Sequence, residues 1–210
     1  VLDSYVTYIP NPTIWASISN DLNCHMTVPR IPSYFKFVPK EFIQQIVSGM
    51  NLKDGAMTIE VFINEDGNIK ASELGWRLPG CQATLNHSYS YGIDIYNTLL
   101  DIAIHKNVVL NYQNEIVSVG DLYLPNKEGI VEWITPLEDL LKMDGVIDGE
   151  MFAKIGEYQI KRRVGNDASG WVQVLGENEY ETLEKMQKVY NAFEIKILDE
   201  VGDKRYVKKV

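Results

Sequence analysis

Two cysteines and three histidines among 210 residues leave little material for a disulfide scaffold or a histidine-rich metal centre. Cys24 and Cys81 match no zinc-binding spacing, so a reduced, cytoplasmic setting is expected. No apolar run approaches the roughly 20 residues needed to span a bilayer, and nothing resembles a secretory signal, so no membrane partner is expected. Positive charge is also scarce. Twenty Lys and Arg stand against 29 Asp and Glu, a net charge of −9, which argues against a nucleic-acid surface. The Lys204-Arg-Tyr-Val-Lys-Lys209 cluster is too short to reverse that, and reads as a solvated tail. Neither Gly-x-x-x-x-Gly-Lys nor Gly-x-Gly-x-x-Gly occurs. What is present is apolar content of 45%, enough to bury one core or two small ones and to exclude a disordered chain.

The most informative segment runs Ala56-Met-Thr-Ile-Glu-Val-Phe-Ile63, Asn64-Glu-Asp-Gly67, then Asn68-Ile-Lys-Ala-Ser-Glu-Leu-Gly-Trp-Arg77. Asp66-Gly67 is a turn dipeptide, and a two-residue type I′ loop predicts a β-hairpin with Glu65 facing Asn68. Paired numbers then sum to a constant, setting Ile63 against Lys70, Val61 against Ser72 and Glu60 against Glu73. Two like charges directly opposed cost up to about 1 kcal/mol. A divalent cation would compensate.

By period-2 alternation one face carries Ala56, Thr58, Glu60 and Phe62 with Ile69, Ala71, Glu73 and Gly75, continued by Arg77. The other carries Met57, Ile59, Val61 and Ile63 with Lys70, Ser72, Leu74 and Trp76, and reads as the core face. From hairpin physics alone two readings stand open. The glutamates clasp a metal with an arginine poised for phosphate, or they are solvated and Arg77 makes a surface ion pair.

The stretch Leu52-Lys-Asp-Gly-Ala-Met-Thr-Ile-Glu60, followed by Glu73-Leu-Gly-Trp-Arg77-Leu-Pro-Gly80 and His87-Ser-Tyr-Ser-Tyr-Gly92-Ile-Asp, resembles the last third of an ATP-grasp ligase. Arg77 to Gly80 with Cys81 to Tyr91 looks most like the carboxylate–amine ligases that join amino acids. The resemblance implies an enzyme that uses ATP and magnesium, with manganese as an alternative. A small carboxylate would be activated as an acyl phosphate and opened by an amine to give an amide. It implies Glu60 and Glu73 as metal ligands, Arg77 as the catalytic arginine beside the acyl phosphate, and Arg77, Gly80, Asn86 and His87 as substrate- or phosphate-binding. Many relatives carry a metal-binding asparagine two residues after the second glutamate, where this chain has Gly75. Most nucleotide-holding residues precede this region in the family. The chain, opening on Val1 rather than Met, is therefore expected to be part of a longer enzyme, with that enzyme's N-terminal part as a partner and a homodimer compatible. A piece that docks onto a separate N-terminal half, and a non-catalytic binding domain on the ligase scaffold, are the alternatives.

The expected fold class is α+β: the C-terminal part of an ATP-grasp domain over 1–110, an antiparallel sheet with helices, then a small α+β domain over 111–200 and a tail over 201–210. Strands are expected at Val1 to Ile9 and Thr13 to Ser19, and irregular chain from Pro29 to Pro39. A helix from Lys40 to Met50 carries the stripe Phe42, Ile43, Ile46, Val47 and Met50; a loop follows the hairpin; a second helix runs from Ile93 to His105, with an N-terminus able to attract an anion. Later strands are expected near Ile116 to Leu124, Gly129 to Ile134, Glu157 to Val164, Gly170 to Leu175 and Phe193 to Leu198, with helices at Pro136 to Met143 and Asn178 to Ala192. The pattern of Ile130-Val-Glu-Trp-Ile134 and Ser169-Gly-Trp-Val-Gln-Val-Leu-Gly176 resembles the C-terminal domain appended to amino-acid-ligase and carboxylase members. His25 is a weak acceptor-pocket candidate, His105 suits a helix end, and Lys161 to Arg163 suit a solvated strand.

Overall fold

The structure, a computed structural model, describes residues 7–8, 23–27, 40–64, 66–111, 117–160 and 167–198. The fold is α+β, with ten strands and five helices among the described residues. Chain contacts divide it into two compact units. One comprises Val1–Pro10, His25–Asp121 and Leu175–Thr182; the other Asn11–Cys24, Leu122–Val174 and Leu183–Val210. Each unit is assembled from three separate stretches of the chain.

β1 (Thr7–Tyr8) pairs antiparallel with β2 (Asn23–Thr27), setting Thr7 opposite Thr27. The strand expected at Thr13 to Ser19, the irregular stretch to Pro39 and the basic run at Lys161 lie outside the described residues. α1 (Lys40–Gly49) forms where the apolar stripe predicts it. β3 (Thr58–Ile63) and β4 (Ile69–Gly75) make a two-stranded sheet. α2 (Ala83–Tyr91) replaces the expected loop: its buried face is Thr84, Asn86, His87 and Ser90 as much as Ala83 and Tyr91, so no apolar period announces it. It stops at Gly92, whose φ of 67° is the left-handed cap a glycine takes without strain. α3 (Ile95–Ala103) follows. Asp94 caps it, accepting Asn97 N–H at 2.9 Å, so a carboxylate of the chain already occupies the N-terminus expected to draw an anion.

β5 (Ser118–Pro125) is buried almost throughout. β6 (Gly129–Ile134), a short α4 (Leu137–Leu140) and β7 (Val146–Met151) come next, β7 being a strand the alternation did not reveal. β8 is only Tyr158–Gln159, followed by β9 (Ala168–Gly176), α5 (Glu179–Ala192) and β10 (Ile195–Ile197). Asn178 caps α5, accepting the N–H groups of Tyr180 and Glu181 at 3.1 Å each. The larger sheet has the order β1-β2-β5-β9-β7 and a smaller one β10-β6-β8. In the second unit Val131, Ile134, Ala153 and Ile195 make a core, flanked by Met151, Phe193 and Ile197. In the first, Tyr91, Ile93 and Ile95 form a core against which Leu78 and Leu110 pack.

Candidate active site

Glu60 and Glu73 are partners across the β3–β4 ladder, as Thr58 is with Gly75 and Ile59 with Leu74. The route to that pairing differs from expectation. The turn closes at Asn64 and Asn68: Asn68 N–H donates to the Asn64 carbonyl's side-chain counterpart Oδ1 at 2.7 Å, Gly67 N–H to the Asn64 carbonyl at 2.9 Å, and Gly67 takes φ 79°. This is the longer hairpin turn with a left-handed glycine rather than the two-residue loop. It shifts the register by one, giving Val61 opposite Ala71 and Phe62 opposite Lys70, and a bulge between Glu60 and Val61 restores it at the glutamates. The expected partner of Val61, Ser72, is the extra residue. The slip also exchanges faces: Lys70 joins the glutamates, while Ala71 and Ile69 join Val61 on the other side. A cation is thereby added to the acidic face and two apolar side chains are removed from it. Glu65 lies outside the described residues.

Arg77 follows the strand at once. Its guanidinium donates to the Leu78 carbonyl at 2.9 Å and reaches Glu73 Oε1 at 3.5 Å, and its own carbonyl accepts the Thr58 hydroxyl at 2.9 Å. The Glu73 and Arg77 side chains are 61% and 57% exposed, so this pair contributes little to stability and can exchange for a ligand. A Cβ on Gly75 would stand 3.3 Å from Arg77 Cγ, so the glycine leaves room for the arginine to fold back over the strand. Trp76, expected on the core face, is 42% exposed and lies against Gly55 instead, where φ 149° and an indole only 2.7 Å from where a Cβ would stand require a glycine.

Leu78 anchors the segment in the core of the first unit, and the Thr84 hydroxyl donates to the Pro79 carbonyl at 3.4 Å, joining the Arg77–Gly80 loop to α2. Gly80 is exposed. Asn86 and His87, adjacent on α2, are both buried. Burial holds the His87 pKa down at about 4, so this imidazole is neutral at pH 7. Asn86 donates to Asp121 Oδ1 at 2.5 Å, and the other Asp121 oxygen faces His25 Nδ1 at 3.2 Å. The His25 pKa is raised, chiefly by that hydrogen bond, with burial opposing and the charge of Asp121 adding to it. Sequence reasoning missed Asp121, the one charged residue of β5.

Two carboxylates suit magnesium, which characteristically takes one or two protein carboxylates and completes its shell with water and substrate phosphates. Among the described residues no group of three or more His, Cys, Asp or Glu could hold a metal.

Comparison with solved structures places the fold. An L-amino acid ligase from Bacillus licheniformis superposes with a TM-score of 0.68 at 17% identity, covering 83% of this chain and 44% of that one. Phosphoribosylglycinamide synthetase from Anaerococcus prevotii gives 0.70 at 18%, covering 83% and 45%. The chain has an ATP-grasp fold. A carboxylase of the same fold, the biotin carboxylase domain of Hydrogenobacter thermophilus 2-oxoglutarate carboxylase, solved as a dimer with MgADP, ADP and bicarbonate, gives 0.58 at 14% over 82% of this chain and 39% of that one. In sequence, the L-arginine-specific L-amino acid ligase of Bacillus subtilis is 20% identical over 117 residues, 56% of this chain and 28% of that protein. The chain thus spans under half the length of these ATP-grasp structures. No protein-family model matches it. No helix among the described residues is long and apolar enough to cross a membrane.

Proposed function

We propose that this chain supplies the C-terminal portion of an ATP-dependent carboxylate–amine ligase that forms an amide on an amino acid through an acyl phosphate. The observation that carries the reading is the cross-strand pair Glu60 and Glu73 with the Arg77 guanidinium beside it. Opposing two carboxylates on an exposed hairpin costs stability, and a site that draws cationic, phosphate-bearing ligands accounts for the cost. Glu60 and Glu73 would hold magnesium, which supplies charge neutralisation for a transferring phosphoryl group.

The chain's own residues do the rest. Arg77 leaves its weak contact with Glu73 and donates to the oxygens of the acyl phosphate, and then to the oxyanion formed when the amine adds. Its planar fork suits that bidentate contact better than a lysine would. Leu78, the Thr84–Pro79 hydrogen bond and α2 keep the loop in place, so Arg77 swings on a rigid base. Asn86 and His87 stand one turn further along the same helix, with His87 neutral and able to donate or accept a hydrogen bond at pH 7. The cytoplasm, the N-terminal part of the same enzyme and a homodimer complete the proposal. It is tested by calorimetry with Mg-ATP on the full-length protein. Metal-dependent binding that disappears in Glu73→Ala supports the ligase, and nucleotide binding indifferent to metal and to Glu73 would reduce the hairpin to a scaffold.

A further inference from the structure

Asp121 sits mid-strand in β5 with no exposed surface, and both of its oxygens are engaged. An ionised carboxylate without partners would be costly there, and it has two of different kinds: the Asn86 amide on α2 at 2.5 Å and the His25 imidazole on β2 at 3.2 Å. The His25 side chain is 28% exposed, so the imidazole reaches the surface while its ring is pinned from behind. Asn86 belongs to the helix that Thr84 joins to Pro79, two residues beyond Arg77. A carboxylate that grips an imidazole by Nδ1 fixes both its tautomer and its direction, which is how buried acids orient functional histidines.

We propose that Asp121 is a positioning residue: one oxygen sets the orientation of His25, and the other holds the Asn86 turn of α2, and with it the Arg77–Gly80 loop, in register with that imidazole. The proposal rests on the reading of Arg77 as the reactive arginine. It assigns the two halves of one carboxylate to two elements that are distant in sequence, and it makes His25 part of the same constellation.

The test is side-chain NMR of the histidines in full-length protein carrying Asp121→Asn, Asp121→Glu or Asn86→Ser. In the unsubstituted protein His25 should titrate above 6.5. Asp121→Asn should lower that value, because the imidazolium loses both its hydrogen-bond acceptor and the facing negative charge. Asn86→Ser should raise it, because the carboxylate loses a donor and leans more on the imidazole. In the ligase reaction Asp121→Asn should reduce kcat of the folded enzyme more than the KM for ATP, with partial recovery in Asp121→Glu. An unchanged His25 titration in Asp121→Asn, or loss of melting temperature with kcat intact, overturns the proposal. Where Asp121→Asn does not fold, the remaining two spectra decide: His25 at or below 6.5 and unmoved by Asn86→Ser overturns it as well. Absence of metal-dependent nucleotide binding in the unsubstituted protein would instead defeat the ligase reading, leaving the His25 titration as a separate result.

Discussion

Glu60 and Glu73 on the β3–β4 hairpin and Asp121 in β5 are all carboxylates brought against neighbours, at opposite extremes of exposure. The hairpin glutamates oppose each other, exposed, with the Arg77 guanidinium 3.5 Å from Glu73. Asp121 is fully buried and hydrogen-bonded on both oxygens. High dielectric makes the first arrangement tolerable and leaves its lone pairs available; low dielectric makes the second viable only with its partners in place. The difference separates a carboxylate that can recruit a ligand from one that holds other residues still.

The contrast can be broken most severely at the exposed end. Glu73→Ala in the complete enzyme should cost several kcal/mol of transition-state stabilisation, on the scale of metal-ion effects, while chemical denaturation shows stability unchanged or raised by up to about 1 kcal/mol as the like-charge opposition is relieved. Near-normal turnover would remove the metal role. Protonation probes the buried end. His87 is held at about 4 against an ordinary 6.5, so as pH falls between those values the unfolded chain takes a proton that the folded one refuses, and stability drops by about 3 kcal/mol in all. His87→Leu should flatten that acid limb in urea melts recorded across pH. His25 has the opposite sign: its contribution is complete below 6.5 and is lost as pH rises through its elevated folded value.

Asp121→Ala should cost about 1–3 kcal/mol in the same melts, for the buried Asn86 amide that loses its acceptor, and a loss no larger than that of Glu73→Ala would erase the distinction between the buried and the exposed carboxylates. The smallest effect is the most pointed. Glu60→Gln relieves the like-charge opposition and should raise stability by up to about 1 kcal/mol while abolishing metal-dependent nucleotide binding. A stability loss would show that the pair is not repulsive.

Much of this was legible in the letters, for reasons that can be named. The α1 stripe, the α5 cap at Asn178 and the β3–β4 alternation are local patterns, and local patterns survive reading without coordinates. The glutamate pairing emerged even though the assumed turn did not hold, because the longer turn and the bulge shift the register in compensating directions. α2 was illegible because polar side chains fill its buried face, and β7 because Val146-Ile-Asp-Gly-Glu-Met151 has no clean alternation and carries its own register shift opposite Val174 and Gln173. Asp121 had no signal in its neighbourhood at all.

By itself the order of residues determined the chemistry on offer: two glutamates at mirrored hairpin positions and an arginine four residues after the second, since strand pairing is set by short-range turn and pleat. Tertiary structure alone decided which groups stay exposed and which are locked away. His25, Asn86 and Asp121 are separated by 96 and 35 residues in the two pairs they form, and only burial, which raises the cost of every unmet hydrogen bond, brings them together.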